Sequence, residues 1–175
     1  PSVVDLKKAV QVAYHETLAS AKAIKIYHEM NLDGQIGIIL NLTPSYPRNE
    51  NDPEDVKAAR LADAFFNRSF LDPAIKGTFP EDLVLLLKEL DYLPEYTQSE
   101  LELIKHNTID ILGINYYQPR RIMKKESTER LSDKPMPDDY FDNYIWPERK
   151  MNPYRGWEIY EKGIYDCLIN VRDNY

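Results

Sequence analysis

The stretch DILGINYY occupies residues 110–117 and is the most informative part of this sequence. Together with Ile109 it forms a short apolar run, which predicts a buried strand. The stretch IGIIL, at residues 36–40, has the same short, β-branched character. Its nearly continuous apolar run predicts a strand buried on both faces, as in parallel sheets whose faces are covered by helices. We therefore expect two parallel strands at these positions.

Polar side chains lie at the carboxyl ends of both predicted strands. Because side chains alternate along a strand, Asn115 and Tyr117 share one face of the second strand, and Asn41 ends the first. Ligand-binding groups of parallel α/β folds project from this end of the strands. An amide and a phenol placed there are able to bind sugar hydroxyls or to orient a carboxylate. The alternative is that they bond only to neighbouring backbone groups.

Helical patterns surround the two strands. Asp52 is a suitable N-cap and Pro53 suits a first helical turn, so together they predict a helix start. Thr97 and Glu100 have the spacing of a capping box, which predicts another. An apolar stripe marks a longer helix near the beginning of the sequence. The predicted helices span about residues 4–30, 52–67, 81–90, 97–106 and 161–174.

The other segments are predicted to be loops. Residues 41–52 are polar and contain proline, and residues 71–80 are predicted to form a compact connection. Residues 118–150 are long, charged and interspersed with aromatic residues, and a loop of that length in a compact domain is usually functional or disordered. Its first basic residues are predicted to be a solvated loop face, with contact to an anionic ligand as the alternative. They are Arg120, Arg121, Lys124 and Lys125.

The predicted order is helix, strand, helices, strand, long loop and helix. Helices that alternate with parallel strands predict an α/β fold. Two parallel strands leave unpaired sheet edges, and a complete (β/α)8 barrel needs about 250 residues. We therefore expect a single partial TIM barrel of about two parallel strands, which is part of something larger or forms a homo-oligomer through its exposed sheet edges. Its expected parts are residues 1–117, the loop 118–150 and a terminal helix region, 151–175.

The composition argues against several classes of function. The net charge of −7, without a dense basic cluster, argues against a nucleic-acid partner. No apolar run reaches the roughly 18 residues of a membrane span, and no signal-peptide pattern opens the sequence. The single cysteine, Cys167, fits a reducing compartment, so we expect a cytoplasmic protein. The histidines are scattered and the glycines form no phosphate loop, so we expect neither a metal nor a cofactor.

The same stretches resemble glycoside hydrolase family 1. Residues 110–117 resemble its sixth-strand motif, and MNPYRGWEI, at residues 151–159, resembles its 6-phospho-β-glucosidase branch. The resemblance covers essentially the whole sequence. Further matches are residues 14–21 to the family's fourth helix, residues 36–41 to its fifth strand, and residues 67–73 with Gly77 and Pro80.

The resemblance implies retaining hydrolysis on an eight-stranded barrel. In that reaction one glutamate protonates the leaving oxygen and a second attacks the anomeric carbon, with the carboxyl groups about 5–5.5 Å apart. In the family the acid/base belongs to an Asn-Glu-Pro motif after the fourth strand, and the nucleophile to a Thr/Ser-Glu-Asn-Gly motif on the seventh. Neither motif occurs here, nor does the family's phosphate-binding loop. The run at residues 49–51 lacks the proline, so Glu50 is predicted to be a solvated loop residue.

By this resemblance the sequence starts after the fourth strand, ends before the seventh, and supplies supporting residues only. Tyr117 matches the tyrosine that hydrogen-bonds the nucleophile, and Asn115 matches the strand-end asparagine near the acid/base. Asn41 is expected on the leaving-group side of the cleft. Trp146 is a candidate for stacking on a sugar, with burial against helices as the alternative.

Two functions follow from this interpretation. The first is a fragment of a cytoplasmic 6-phospho-β-glucosidase, which hydrolyses O-glycosyl bonds in phosphorylated β-glucosides and is expected to be inactive as this chain alone. The second is a non-catalytic assembly or binding module derived from the barrel, which associates with its own copies through the sheet edges.

Overall fold

The computed structural model describes residues 5–130 and 132–175. Its α-helices are α1 (Leu6–Glu29), α2 (Pro53–Asp63), α3 (Ser69–Lys76), α4 (Glu81–Glu89), α5 (Gln98–His106) and α6 (Lys162–Asn174). Its strands are β1 (Gly37–Asn41), β2 (Ser45–Pro47), β3 (Ile111–Asn115), β4 (Arg120–Lys124), β5 (Phe141–Asn143), β6 (Lys150–Met151) and β7 (Glu158–Ile159). A π-helical turn, Ala64–Arg68, joins α2 to α3, and a 3-10 turn, Pro137–Asp139, precedes β5.

The helix starts follow the capping signals of the sequence. The Asp52 carboxylate accepts a hydrogen bond from the Glu54 amide at 3.0 Å, and Pro53 occupies the first turn of α2. The Thr97 hydroxyl accepts from the Glu100 amide at 3.3 Å, and the Glu100 carboxylate accepts from the Thr97 amide at 2.8 Å. This reciprocal pair confirms the predicted capping box of α5. The helices predicted over about residues 4–30, 81–90 and 161–174 are also confirmed.

The two predicted strands, β1 and β3, pair with each other in a two-stranded sheet. The Ile36 carbonyl, just before β1, accepts a hydrogen bond from the Asp110 amide, just before β3, at 2.8 Å. At the other end the Leu42 amide donates to the Asn115 carbonyl at 2.9 Å. The start of β1 therefore lies beside the start of β3, and the end of β1 lies beside the end of β3. The two strands run parallel, as predicted.

The prediction that these strands are buried on both faces is wrong for this chain. The side chain of Ile39 in β1 is 70% exposed, and that of Ile111 in β3 is 52% exposed. In a sheet of two strands each strand has one hydrogen-bonded neighbour, so an outward apolar side chain lacks half of the cross-strand contacts that would cover it.

A second sheet lies where the sequence predicts loops. β4 pairs in parallel with β2 and antiparallel with β5, in the order β2-β4-β5. The loop predictions for residues 41–52 and 118–150 are therefore wrong in these stretches. β4 forms because Ile122 is completely buried in a cluster with Phe141 and the alanines of α2, although cations precede and follow it in the sequence.

The segment predicted to be a compact connection is largely helical. α3 contains Pro73, which lacks an amide proton and usually ends a helix. The proline is almost completely buried, and this burial offsets the missing hydrogen bond. The helix ends at Gly77, whose φ of 69° is the left-handed C-cap conformation that glycine adopts without strain.

The chain divides into two compact units, each built from two stretches of sequence. The first unit comprises Pro1–Leu40 and Arg68–Ile114, and the second comprises Asn41–Asn67 and Asn115–Tyr175. The expected single domain with parts at residues 1–117, 118–150 and 151–175 stays a prediction. A buried cluster of the first unit consists of Tyr14, Leu18, Ala21 and Ile104. A buried cluster of the second consists of Ala58, Ala59, Ala62, Ile122 and Phe141.

Candidate functional site

The strand-end asparagines, Asn41 and Asn115, contact each other in the second unit. The side-chain amide of Asn115 donates a hydrogen bond to the side-chain oxygen of Asn41 at 3.0 Å. Both residues are exposed. A side-chain amide has more donors and acceptors than this one bond uses, so both asparagines are able to bind a ligand as well. The structure therefore brings two of the predicted site residues onto one surface.

Tyr117, the predicted phenol beyond the end of β3, packs on Trp157. Their ring centroids are 5.3 Å apart with an interplanar angle of 52°. Tyr117 is 54% exposed and Trp157 is half-buried, so the pair presents aromatic surface to solvent. Rings of this kind combine an apolar face with a polar handle, and both features suit the binding of a sugar.

The loop after β1 is held by the buried Asn67 side chain. Its oxygen accepts from the Thr43 amide at 3.0 Å, while its amide donates to the Thr43 carbonyl at 2.9 Å and to the Asp63 carboxylate at 2.6 Å. Both backbone groups of Thr43 are thus fixed by one side chain. This arrangement sets the path of the chain directly after Asn41.

An ion pair between Arg121 and Glu158 anchors the segment that carries Trp157. The shortest distance joins Arg121 Nη2 to Glu158 Oε1 at 2.6 Å, and the side chains are 14% and 8% exposed. Burial opposes the charge, but the hydrogen bond to Glu158 keeps the pKa of Arg121 above its ordinary value. Since Glu158 follows Trp157 in the sequence, the pair holds the tryptophan segment against β4.

Trp146 belongs to the aromatic shell around Arg121. The Arg121 guanidinium carbon lies 4.6 Å from the ring centroid of Trp146, 4.5 Å from that of Tyr160 and 4.9 Å from that of Tyr46. Trp146 also meets Tyr160 edge-on, at 6.2 Å between centroids. These are contacts of a packed side chain, which favours the burial alternative. A stacking role of Trp146 on sugar stays a prediction.

The basic residues at the start of the predicted long loop are not a solvated loop face. Arg120, Arg121 and Lys124 belong to β4, which is paired with β2 and β5. Lys124 pairs with Asp52 at 3.0 Å, and Lys125 pairs with Asp142 at 2.8 Å. Arg120 differs from these, because its guanidinium lies over a phenylalanine ring. The acidic partners are far away in the sequence, so composition alone does not indicate the pairing.

A cavity of about 250 Å³ lies in the second unit, next to the Tyr117–Trp157 pair. Two of its lining residues, Gln118 and Gly156, are the sequence neighbours of Tyr117 and Trp157. The other lining residues are Thr43, Pro119, Arg120, Arg121, Asn143, Tyr144, Ile145, Arg149, Met151 and Glu158. Glu158 is the one carboxylate among these lining residues.

Trp157 and Glu158 are not among the predicted site residues, and Arg121 is predicted only as part of a basic loop face with an anionic ligand as its alternative partner. Trp157 lies within the stretch at residues 151–159 that resembles the phospho-glucosidase branch. That stretch is a signal for a functional segment, but it does not tell which side chain faces Tyr117. The Arg121–Glu158 pair has no local sequence pattern at all, since 37 residues separate its members.

Some predictions concern groups outside this surface. Glu50 is exposed in the loop before α2, as predicted for a solvated residue. Within residues 5–130 and 132–175, no group of three or more His, Cys, Asp or Glu side chains is placed to hold a metal ion. In the same described residues, no helix combines the length and apolarity needed to cross a membrane.

Comparison with known proteins finds one family model that matches the whole chain. The model of glycosyl hydrolase family 1 matches residues 1–175. The 6-phospho-beta-glucosidase GmuD of Bacillus subtilis is 59% identical over 175 residues, which are 100% of this chain and 37% of the relative. Beta-glucosidase A of Acetivibrio thermocellus is 34% identical over 177 residues, with 100% and 37% covered. The chain therefore spans a little over a third of the length of these curated relatives.

Solved structures agree with the predicted fold class. The family 1 β-glucosidase from Thermotoga maritima superposes with a TM-score of 0.80 at 29% identity, over 100% of this chain and 36% of that one. The psychrophilic β-glucosidase BglU from Micrococcus antarcticus gives a TM-score of 0.79 at 29% identity, over 98% and 38%. These likenesses confirm an α/β fold that is part of a TIM barrel.

Proposed function

Because this chain belongs to glycosyl hydrolase family 1, whose model matches all of its residues, we propose that it is a segment of a 6-phospho-β-glucosidase. The complete enzyme would hydrolyse O-glycosyl bonds in phosphorylated β-glucosides with retention of configuration, in the cytoplasm. The identity of 59% to a 6-phospho-beta-glucosidase, against 34% to Beta-glucosidase A of Acetivibrio thermocellus, supports the phospho-sugar branch.

The observation that carries this proposal is the polar and aromatic surface at the carboxyl ends of β1 and β3. Substrate groups in TIM-barrel enzymes bind at this end of the strands. The hydrogen-bonded Asn41–Asn115 pair and the Tyr117–Trp157 pair both belong to that surface. Amides bind hydroxyls and aromatic rings cover the apolar face of a sugar, so together they have the chemistry of a glycoside site.

Each residue has a proposed role in the complete enzyme. The Tyr117 phenol donates a hydrogen bond to the attacking carboxylate and orients it toward the anomeric carbon. Asn115 supports the acid/base side, and Asn41 binds a hydroxyl on the leaving-group side. Trp157 stacks on the sugar, a role for which its half-buried ring next to Tyr117 makes it a better candidate than Trp146.

The retaining reaction needs a proton donor and a nucleophile that this chain does not supply. Two carboxyl groups about 5–5.5 Å apart must flank the scissile bond. Neither family motif that carries these glutamates occurs in the sequence. Glu158, the carboxylate in the cavity wall, is held by Arg121 and is therefore not free to attack or to protonate.

The chain alone should not hydrolyse 4-nitrophenyl β-glucoside 6-phosphate. Release of nitrophenol, followed by absorbance, should equal that of buffer at protein concentrations where Bacillus subtilis GmuD gives rapid turnover. Turnover that Tyr117→Phe abolishes would contradict the proposal, provided that the matched control Tyr154→Phe retains it. Tyr154 is a suitable control because its side chain is 93% exposed.

A second candidate function is supported by the exposed apolar side chains of the two-stranded sheet. Ile39 and Ile111 are exposed on two strands that pair only with each other among the described residues, so each strand has a second edge that another strand could use. The chain would then associate with its own copies without catalysis. Sedimentation at micromolar concentration should show a homo-oligomer of the 20.5 kDa chain. The oligomeric fraction should fall in an Ile39→Lys variant. A sharp monomer boundary at every concentration would contradict this function.

A further inference from the structure

Asn67 is a buried polar residue in a π-helical turn. It is 5% exposed, and the turn spans Ala64–Arg68. The side-chain amide uses both of its protons, since it donates to the Thr43 carbonyl at 2.9 Å and to the Asp63 carboxylate at 2.6 Å, and its oxygen accepts from the Thr43 amide at 3.0 Å. π-Helical turns are rare and occur frequently at functional sites, which points to a role of Asn67 beyond packing.

These bonds fix the backbone at Thr43, in the segment between β1 and β2. The Thr43 amide belongs to the peptide group before its Cα atom and the Thr43 carbonyl to the peptide group after it, so one side chain holds both peptide planes. The groups on either side, the Leu42 amide and the Pro44 carbonyl, bond to β3 and β4. Asn67 therefore gives Thr43 the hydrogen bonds that a neighbouring strand gives elsewhere in a sheet.

The segment that Asn67 holds belongs to the candidate site. Thr43 lines the cavity of the second unit and follows Asn41 by two residues. Asn41, the residue proposed to bind a hydroxyl of the leaving group, is bonded to Asn115 at 3.0 Å. Asn115 thus fixes the start of the segment and Asn67 fixes its end. Because hydrogen bonds weaken steeply with poor geometry, the placement of this segment controls how well the site binds a leaving group that carries hydroxyls.

We propose that Asn67 is a positioning residue that determines which leaving groups the site accepts. The inference rests on the proposed function and adds to it a residue that acts without touching the substrate. Asn67 holds Thr43 in the cavity wall and thereby keeps the adjoining Asn41 in place. A sugar leaving group binds through directional hydrogen bonds and depends on this placement, whereas a nitrophenyl ring makes mainly non-directional apolar contacts and depends on it less.

Kinetics of a chimera, with this chain in place of the corresponding segment of Bacillus subtilis GmuD, tests the inference. Two substrates share the phosphorylated glucose and differ in the leaving group, namely a glucose disaccharide phosphorylated on its non-reducing ring and 4-nitrophenyl β-glucoside 6-phosphate. Asn67→Asp removes both donors and places a second carboxylate against Asp63. It should lower kcat/KM for the disaccharide about tenfold or more, chiefly through KM, and that for the nitrophenyl glucoside less than about threefold.

Two further variants serve as controls. Asn51→Asp makes the same substitution at an exposed position and should leave both kcat/KM values within about twofold. Asn67→Asp combined with Asp63→Asn exchanges the two groups, so that an amide again donates to a carboxylate and no like charges meet. Since the exchange still lacks the donor to the Thr43 carbonyl, it should show a smaller selective loss on the disaccharide. It is the test variant where Asn67→Asp alone does not fold.

The outcomes separate this inference from the proposed function. A selective loss on the disaccharide that the exchange reduces supports the positioning role. Equal losses on both substrates, unchanged kinetics, or a loss that the exchange does not reduce overturns it, since a merely structural role would lower both reactions alike. A folded chimera without substitutions at Asn67 that hydrolyses neither substrate overturns the proposed function, and this inference with it.

Discussion

An Asp55→Ala variant should lose about 3–5 kcal/mol of unfolding free energy, the usual effect of removing one partner of a buried ion pair. Asp55 is completely buried in α2. Its carboxylate accepts hydrogen bonds from Arg48 Nε at 3.0 Å, from Arg48 Nη2 at 3.2 Å and from the Lys124 backbone amide at 2.8 Å. The substitution would leave Arg48 Nε and the Lys124 amide without this acceptor and remove the polar links from α2 to Arg48, just after β2, and to β4.

Urea unfolding followed by circular dichroism measures this loss. Glu54→Ala is the matched control, since it removes an exposed carboxylate from the same helix turn and should change stability by less than about 0.5 kcal/mol. Asp55→Asn should fall between the two, because an amide oxygen still accepts from the Lys124 amide. An Asp55→Ala loss as small as that of the control would show that the buried carboxylate does not hold the second unit together.

Glu158→Ala should be the other strongly destabilising substitution, again by about 3–5 kcal/mol. The side chain is 8% exposed. Its removal leaves the Arg121 guanidinium without a carboxylate partner among the rings of Tyr46, Trp146 and Tyr160. The segment with Trp157 would also lose its anchor on β4. Tryptophan emission should therefore shift to longer wavelength in the folded variant as the ring gains contact with water.

A double-mutant cycle separates the pair from its surroundings. Arg121→Met with Glu158→Leu should be more stable than either single variant, because apolar replacement removes both charges and leaves none unpaired. Asp173→Ala breaks an exposed pair with Arg172 and should change stability by less than about 1 kcal/mol. Additive losses at Arg121 and Glu158 would contradict a direct interaction between them.

Local sequence signals predict the elements that depend on local chemistry. The Asp52-Pro53 start of α2 and the Thr97–Glu100 capping box are confirmed because each involves residues at most three positions apart. The apolar runs likewise predict β1 and β3. Pro73 is a misleading local signal, since its cost to α3 is offset by burial that only the folded chain provides.

The second sheet and the site depend on contacts between residues that are far apart in the sequence, and no local pattern predicts these contacts. The residues RRIMK of β4 form no apolar pattern, and two of its cations are matched by acids from separate segments, Arg121 by Glu158 and Lys124 by Asp52. The apolar pattern does predict that Asn115 lies at the end of β3, and the structure adds its bond to Asn41. The packing of Trp157 on Tyr117 joins residues 40 positions apart and has no periodic signal.

The most direct measurement is the activity of a chimera in which this chain replaces the corresponding segment of Bacillus subtilis GmuD, to which it is 59% identical. The chimera should release nitrophenol from 4-nitrophenyl β-glucoside 6-phosphate, prefer this substrate to the unphosphorylated glucoside, and lose about tenfold or more of kcat when Tyr117→Phe removes one hydrogen bond. A folded chimera that leaves the phosphorylated glucoside intact, or that is indifferent to Tyr117→Phe, would contradict the proposed role of these strand ends.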